Sequence, residues 1–396
     1  MLMLLPMLLS LCAAQFATHT VYEPKPDWPS ECHPAPKQVF LLSRHGIREP
    51  SKKLIARAQK LQGKVGASSL PWLRQWKNPF SDADDLVARG LAELRGAGGR
   101  LAARLGLERP LSGREVEQLY DARSTQVRRA ARSGVAFCEG LERNPASAPY
   151  VWMEDERRDH LLRPFKLCKP YVASLKQPAV LRQHVAFADA YFPAMAARLQ
   201  NVTGLPRVSA RDVGLFWEVC AYEQALFRVS DRFCTLFSEH DNEMLSYWSD
   251  LSFYYRRGYG NNLTHLLPVA MADEMHSFFF GAQPRPRALL RFAHAETVMP
   301  LFVFLGLFRD AQPFTAATPE RVWRQRRWNT SRICPFEANV ALHRTVCSGA
   351  DTVVIQVNER TVERLPLAAF EELLQRGRAD RTCAAPRPAL AGWFGC

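Results

Sequence analysis

The segment Gln38–Pro50, QVFLLSRHGIREP, decides the fold, because a short apolar run passes directly into a charged motif. The run Gln38–Ser43 has the length and composition of a buried strand in a parallel sheet. In such sheets, ligands bind in the crevice beyond the carboxyl ends of the strands. We therefore expect Arg44, His45 and Arg48 to lie at the rim of an α/β sheet, beside a ligand.

A second segment has the same layout. The run Ala288–Ala293 (ALLRFA) is strand-like and is followed at once by the triplet His294-Ala295-Glu296. Because the carboxyl ends of parallel strands meet at one edge, we expect this triplet on the rim that holds His45. A further strand-like run, Thr352–Val357 (TVVIQV), lies near the end of the chain.

Helical patterns occupy the chain between these strands. From residue 46 to about residue 141 the pattern is helical, and in Thr125–Leu141 apolar or small residues recur at spacings of three and four. Ser209 and Asp212 have the spacing of a capping box, which predicts that a helix begins there.

The order of these patterns predicts the domain organisation. Strand signals lie near both ends of the chain, with a helical block between them. We therefore predict one α/β core, residues 30–144 and 286–396, whose sheet is flanked by helices. A mostly helical cap is inserted into this core at residues 145–285.

The first residues and the cysteines indicate export. Residues 1–14 (MLMLLPMLLSLCAA) are apolar and end in small residues, which predicts a signal peptide too short to span a bilayer. Without Cys12, nine cysteines remain, and no spacing suggests a metal site, so we expect disulfides and name Cys396 as the candidate unpaired thiol. Sequons occur at Asn201, Asn262 and Asn329, and no retention tetrapeptide ends the chain. We predict a secreted glycoprotein without stable membrane insertion.

The net charge of +13 predicts an anionic partner. Nucleic acid, acidic membranes and polyphosphorylated small molecules would all satisfy it. No run of five or more Lys or Arg occurs, and an exported protein seldom meets nucleic acid. We therefore predict a phosphorylated small molecule and no nucleic acid.

Two arginines that flank a histidine suit the chemistry of a phosphate monoester. Arg44 and Arg48 can each donate paired hydrogen bonds to phosphate oxygens. His45 can act as the nucleophile and form a phosphohistidine, while Glu296 can supply the proton for the leaving oxygen. Gly46 is expected to let the backbone approach the ligand. This chemistry requires no metal or other cofactor.

These motifs resemble those of a known family. Arg44-His45-Gly46-x-Arg48-x-Pro50 is similar to the signature of the histidine acid phosphatases, a branch of the histidine phosphatase superfamily. His294-Ala295-Glu296 and Ser51-Lys52-Lys53 resemble the corresponding motifs of the multiple inositol polyphosphate phosphatases within that family. The segment Arg129–Gly134 resembles the helix that supplies a third phosphate-binding arginine.

The resemblance implies both a fold and a set of roles. The fold would be a phosphoglycerate-mutase-like core with a helical cap, and the activity a metal-independent hydrolysis of inositol polyphosphates such as phytate. The implied catalytic residues are His45 as nucleophile and Glu296 as proton donor. The implied substrate-binding residues are Arg44, Arg48, Lys53, Arg129 and His294.

Two residues depart from the family pattern. Ile47 stands where a small or hydroxyl residue is expected, and Glu49 stands where an aromatic residue is expected. A carboxylate beside a phosphate pocket is unfavourable unless a cation pairs with it. Two alternatives therefore stay open: a general acid phosphatase for small monoesters, and a secreted protein that binds inositol phosphates without turnover.

Overall fold

A mixed sheet of seven strands forms the centre of the protein in a computed structural model that describes residues 15–144, 148–282 and 286–384. The strand order is β3-β2-β4-β1-β5-β6-β7. The first four strands of this order are parallel, and each of the last three is antiparallel to the strand before it. The strands are β1 (Gln38–Arg44), β2 (Tyr120–Ser124), β3 (Trp152–Met153), β4 (Ala288–Ala293), β5 (Asn339–Cys347), β6 (Ala350–Val357) and β7 (Arg360–Pro366).

Fifteen α-helices and three short 3-10 helices surround this sheet in the described part of the chain. The α-helices are α1 (Lys52–Val65), α2 (Pro71–Arg74), α3 (Ala88–Arg104), α4 (Gly113–Leu119), α5 (Arg128–Glu142), α6 (Pro164–Leu167), α7 (Lys169–Ser174), α8 (Ala179–Thr203), α9 (Ala210–Phe227), α10 (Glu239–Arg257), α11 (Val269–Phe280), α12 (Ala295–Phe304), α13 (Glu320–Trp323), α14 (Thr330–Ile333) and α15 (Leu367–Arg378). The 3-10 helices are Ala17–His19, Phe233–Leu236 and Thr264–Leu266.

The strand predictions for β1, β4 and β6 are confirmed, and the α/β fold class with them. The prediction that residues 46–141 are helical throughout is wrong at β2, whose sequence YDARS carries two charged residues. This segment is a strand because it pairs with β4, and such tertiary pairing outweighs the weak local preference. Arg291 of β4 lies beside β2 and is fully buried. It forms ion pairs with Asp121 of β2 and Glu274 of α11.

The register of three parallel strands brings their carboxyl ends to one edge of the sheet. Arg44 of β1 lies opposite Ala293 of β4, and Ser124 of β2 lies opposite Phe292 of β4. The residues that follow these ends are therefore neighbours. The predicted common rim for the two sequence motifs is confirmed.

Helices cover both faces of the sheet. Val39 and Leu41 of β1 pack with residues of α3 and α5 on one face, and Phe40 and Leu42 pack with residues of α11 and α12 on the other. Helices α3 and α5 approach very closely at Gly98, where a Cβ atom would lie 1.9 Å from a backbone oxygen of α5. A side chain there would force the two helices apart.

Helices α6–α11 form the block between β3 and β4. Helix α9 begins after Ser209, whose capping box with Asp212 is confirmed. The division at residues 145 and 285 stays a prediction, because α1 and α2 share an apolar cluster with α8 and α9. In this cluster Leu54 and Leu73 pack with the same group of side chains as Leu199 and Val213.

The described chain has three disulfides: Cys32–Cys347 and Cys168–Cys383, which join distant parts of the sequence, and Cys220–Cys234, which closes a short loop. Cys138 and Cys334 are buried free thiols. The predicted unpaired Cys396 and the predicted signal peptide lie outside the described residues. Within the described ranges, no helix has the length and apolar character needed to cross a membrane.

The three sequons differ in exposure. Asn201 and Asn262 are exposed, as a glycan requires. Asn329 is only 3 % exposed, and its amide nitrogen donates a hydrogen bond to Gln15. In this fold, Asn329 does not fit a glycan acceptor.

Candidate active site

His45 lies directly beyond the carboxyl end of β1 and is almost fully buried. Its Nδ1 atom lies 2.9 Å from the carbonyl oxygen of Gly46. A carbonyl oxygen can only accept, so Nδ1 carries the hydrogen and Nε2 keeps its lone pair. Burial, and then the charges of Arg44 and Arg48, hold the pKa of His45 well below its usual value. The ring is therefore neutral and can act as a nucleophile.

His294 occupies the corresponding position beyond β4 and caps the start of α12. Its ring centroid lies 5.6 Å from that of His45. The hydroxyl oxygen of Thr125, the first residue after β2, lies 3.0 Å from Nε2 of His294. Burial lowers the pKa of His294 to about 3, although Glu296 opposes this shift. Two neutral imidazoles therefore face each other at the rim.

Glu296 lies in the first turn of α12 and forms an ion pair with Arg257, the last residue of α10. The atoms Arg257 Nη2 and Glu296 Oε1 are 2.7 Å apart. Burial by itself would raise the pKa of Glu296, but the charge of Arg257 lowers it to about 2. The carboxyl group is therefore ionised in the free protein.

Arg44 contacts the segment that precedes the core. Its Nη1 atom donates to the carbonyl oxygens of Thr18 at 2.5 Å and Cys334 at 3.1 Å. Its guanidinium carbon lies 4.8 Å above the ring of Phe336. Burial lowers the pKa of Arg44 to about 10, so it stays charged in acidic and neutral solution. These contacts fix the guanidinium beside His45.

Arg48 and Arg129 come together around one carboxylate. The Oδ1 atom of Asp84 lies 3.3 Å from Nη1 of Arg48 and 3.8 Å from Nη1 of Arg129. The Nη1 atom of Arg48 also donates to the carbonyl oxygen of Glu49 at 2.6 Å. The structure thus brings together the two predicted arginines and adds Asp84, which the sequence analysis did not identify.

Gly46 has a packing role that the sequence did not indicate. A Cβ atom at this position would lie 2.9 Å from Leu94 Cδ1 and 3.0 Å from the carbonyl oxygen of Gly90. Gly46 therefore lets α3 pack against the motif; the expected approach of a ligand to its backbone stays a prediction. Its amide donates to the hydroxyl of Ser133 at 3.1 Å, and that hydroxyl donates to the carbonyl of Arg129 at 2.7 Å.

The two departures from the family pattern have different surroundings. Ile47 is fully buried in the apolar cluster of α1 and α9, so its side chain is part of the core. Burial raises the pKa of Glu49, and the neighbouring Asp82 raises it further. In the described ranges Glu49 forms no ion pair with an arginine. Its carboxyl group lies near Ser81 and Asp82.

In the described part of the chain, no hydrogen bond or ion pair joins Lys53 to these residues. It lies on the exposed side of α1 and lines a surface groove of about 860 Å³ together with Arg57, Lys60 and Lys64. Within the described residues, no cluster of three or more His, Cys, Asp or Glu side chains is arranged to hold a metal ion.

Besides Asp84, three contributors to the site were not named from the sequence. Thr125 follows a strand that was not predicted, and Arg257 ends a helix far along the chain from Glu296. Thr18 belongs to the segment after the predicted signal peptide. Local pattern identifies none of them, because only the fold brings them to the rim.

The fold and the site define a class of enzyme in which a neutral histidine at the edge of an α/β sheet is surrounded by arginines. A profile of the histidine phosphatase superfamily (branch 2) matches residues 37–360. The chain belongs to this family.

Curated relatives include multiple inositol polyphosphate phosphatase 1 of Gallus gallus, which is 30 % identical over 334 residues, or 79 % of this chain and 72 % of that protein. The Homo sapiens protein of the same name is 26 % identical over 85 % of this chain and 76 % of its own length. Among solved structures, the phytase from D. castellii has a TM-score of 0.74 at 16 % identity and covers 94 % of this chain and 86 % of its own. The Bifidobacterium longum multiple inositol polyphosphate phosphatase in complex with inositol hexasulfate has a TM-score of 0.66 at 15 % identity, with coverage of 89 % and 93 %.

Proposed function

We propose that the protein is a phosphomonoesterase that removes phosphate from inositol polyphosphates by way of a phosphohistidine on His45. The observation that carries this proposal is the convergence of His45, His294 and Glu296 with the arginines at one edge of the sheet. Relatives with inositol polyphosphate phosphatase and phytase names support the substrate class. The net charge of +13 supports a polyanionic substrate.

The proposed reaction has two steps. In the first, the lone pair of His45 Nε2 attacks phosphorus, the bond to the ester oxygen breaks, and the proton of Glu296 passes to that oxygen. In the second, Glu296 accepts a proton from water, whose oxygen attacks the phosphohistidine and releases inorganic phosphate. Water is the only co-reactant.

The surrounding cations stabilise the charge on the phosphoryl oxygens. Arg44, Arg48 and Arg129 would hold these oxygens, with His294 as a neutral hydrogen-bond partner. Lys53, exposed on α1, would contact a second phosphate of the same substrate at the mouth of the site. One inositol ring would then bind through two of its phosphates, one held by the arginines and one by Lys53.

We also propose that the protein is secreted. The three disulfides fit an oxidising compartment. We propose that residues 1–14 are a cleaved signal peptide and that Asn201 and Asn262 carry glycans. Release of the protein into the medium, and a mass lowered by glycan removal, would test both points.

Phosphate release from inositol hexakisphosphate and from an aryl phosphate, with EDTA present, tests the activity. We expect release that survives EDTA and favours the inositol substrate. The matched control is His45→Ala, in which turnover should fall by more than about a thousandfold and no acid-labile phosphoprotein should form. Tight inositol phosphate binding without release would instead identify a binding protein, and equal use of both substrates would identify a general acid phosphatase.

A further inference from the structure

The loop Ser81–Val87 lies alongside the signature motif, residues 44–50, and is held there by backbone hydrogen bonds. Backbone hydrogen bonds of 2.8–3.1 Å connect the loop to residues 47–50. They join Glu49 to Asp85, Asp84 to Pro50 and Val87 to Ile47. The position of the loop relative to the motif is therefore set by the backbone, independently of side-chain charges.

The loop places one carboxylate between two arginines of the proposed phosphate site. Asp84 Oδ1 lies 3.3 Å from Arg48 and 3.8 Å from Arg129, whose side chains are only 14 % and 21 % exposed. A carboxylate oxygen has the charge and the acceptor geometry of a phosphoryl oxygen. Asp84 therefore occupies a position that an anionic ligand of these arginines would take.

The carboxylate of Asp84 also has room to move away from the two arginines. The Asp84 side chain is 39 % exposed and lines a cavity of about 810 Å³ that opens to solvent beside Arg128 and Arg129. Its backbone has a φ of +64°, a left-handed conformation that aspartate, asparagine and glycine adopt most readily. A rotation of the side chain alone would release both arginines.

We propose that Asp84 is a resident anion of the phosphate site, which the substrate must displace and which thereby selects for highly charged esters. This inference rests on the proposed function, because it takes Arg48 and Arg129 as phosphate ligands. A substrate with several phosphates supplies enough charge to compete with the carboxylate. A single monoester competes less well.

Removal of this carboxylate should strengthen the binding of small anions. In Asp84→Asn, we expect the Kd of inorganic phosphate, measured by calorimetry, to fall about three- to tenfold. The kcat/KM for an aryl phosphate should rise by more than that for inositol hexakisphosphate. Asp84→Gly, which suits the same φ, gives a second variant if the first does not fold.

Asp82→Asn is the matched control, because it removes the same charge from the same loop. Asp82 is exposed and, in the described ranges, forms no ion pair. An unchanged or weaker affinity for phosphate in both folded Asp84 variants would overturn the proposal, as would an equal gain in Asp82→Asn. Phosphate binding does not require turnover, so a protein that binds phosphate but releases none would refute the proposed function and still report on Asp84.

Discussion

Arg257 Nη2 and Glu296 Oε1 lie 2.7 Å apart, so the proposed proton donor is held as a carboxylate by a residue of another helix. A proton donor must be protonated when the leaving oxygen departs. Substrate phosphate would weaken the hold of Arg257 on Glu296, because its own negative charge also attracts the guanidinium. Bound substrate would thus favour the protonated form of Glu296 that the proposed reaction requires.

Arg257→Met should raise the pKa of Glu296, because an opposite charge in contact lowers a carboxyl pKa by about one to three units. Glu296 would then stay protonated to a higher pH. We expect the alkaline limb of kcat/KM for an alkyl phosphate to move to higher pH by about one unit or more. Arg321→Met, at an exposed position of α13, is the control, and an unmoved limb in Arg257→Met would contradict the coupling.

Glu296→Gln should separate substrates by their leaving groups. Esters with poor leaving groups need protonation, so we expect kcat for inositol hexakisphosphate to fall about a hundredfold or more. An activated aryl ester, which leaves without a proton, should slow much less. The ratio of the two kcat values is the measurement. Equal slowing of both substrates would remove Glu296 from the role of proton donor.

Ser133→Ala should reduce both activity and stability. The substitution leaves the buried amide of Gly46 without its acceptor, which costs about 1–3 kcal/mol of unfolding free energy. It also removes the hydrogen bond from the Ser133 hydroxyl to the carbonyl oxygen of Arg129. Arg129 would then be held less firmly in the proposed site, and we expect kcat/KM to fall. The control is Ser68, whose hydroxyl also accepts from a backbone amide and donates to a backbone carbonyl, but outside the proposed site. Ser68→Ala should therefore lower the free energy of unfolding without lowering kcat/KM. Equal kcat/KM losses in the two variants would refute the local effect.

Glu337→Gln should alter the dependence of stability on pH. Glu337 is buried behind Gly46, and burial, followed by Glu93, raises its pKa well above the usual value. A carboxyl group whose pKa is raised by folding stabilises the fold fully below its unfolded pKa, and this contribution is lost as pH rises through its folded pKa.

We therefore expect the Tm of the wild type to fall between pH 5 and pH 8 more steeply than that of Glu337→Gln, which imitates the protonated form. Thermal melts across this range make the measurement. Glu372→Gln, at an exposed position of α15, is the control and should follow the wild type. Identical slopes in all three proteins would show that Glu337 does not titrate in this range.

Local sequence predicted the strands that are apolar and the motif that follows them. β1 and β4 were recognisable because buried parallel strands consist of short apolar runs. β2 was not, since its Asp121 becomes favourable in a strand only when Arg291 of β4 pairs with it. The antiparallel β5 and β7 depend in the same way on their neighbours in the sheet.

The residues of the candidate site were likewise predictable only where they belong to a sequence motif beside an apolar strand. His45, Arg44 and Arg48 adjoin one strand and share a motif. Asp84 and Arg257 reach the rim only through a loop fastened to that motif and through the end of α10. No spacing in the sequence records such contacts. Charged residues of this kind are common on surfaces, and folding decides which of them meet.

The contact between Arg44 and the carbonyl oxygen of Thr18 ties the segment that precedes the core to the proposed site. Proteolytic trimming as far as residue 20 would remove a hydrogen-bond acceptor of the arginine beside His45, together with the buried side chains of Phe16 and Ala17. Such trimming would therefore act on the proposed site and on the stability of the fold at the same time.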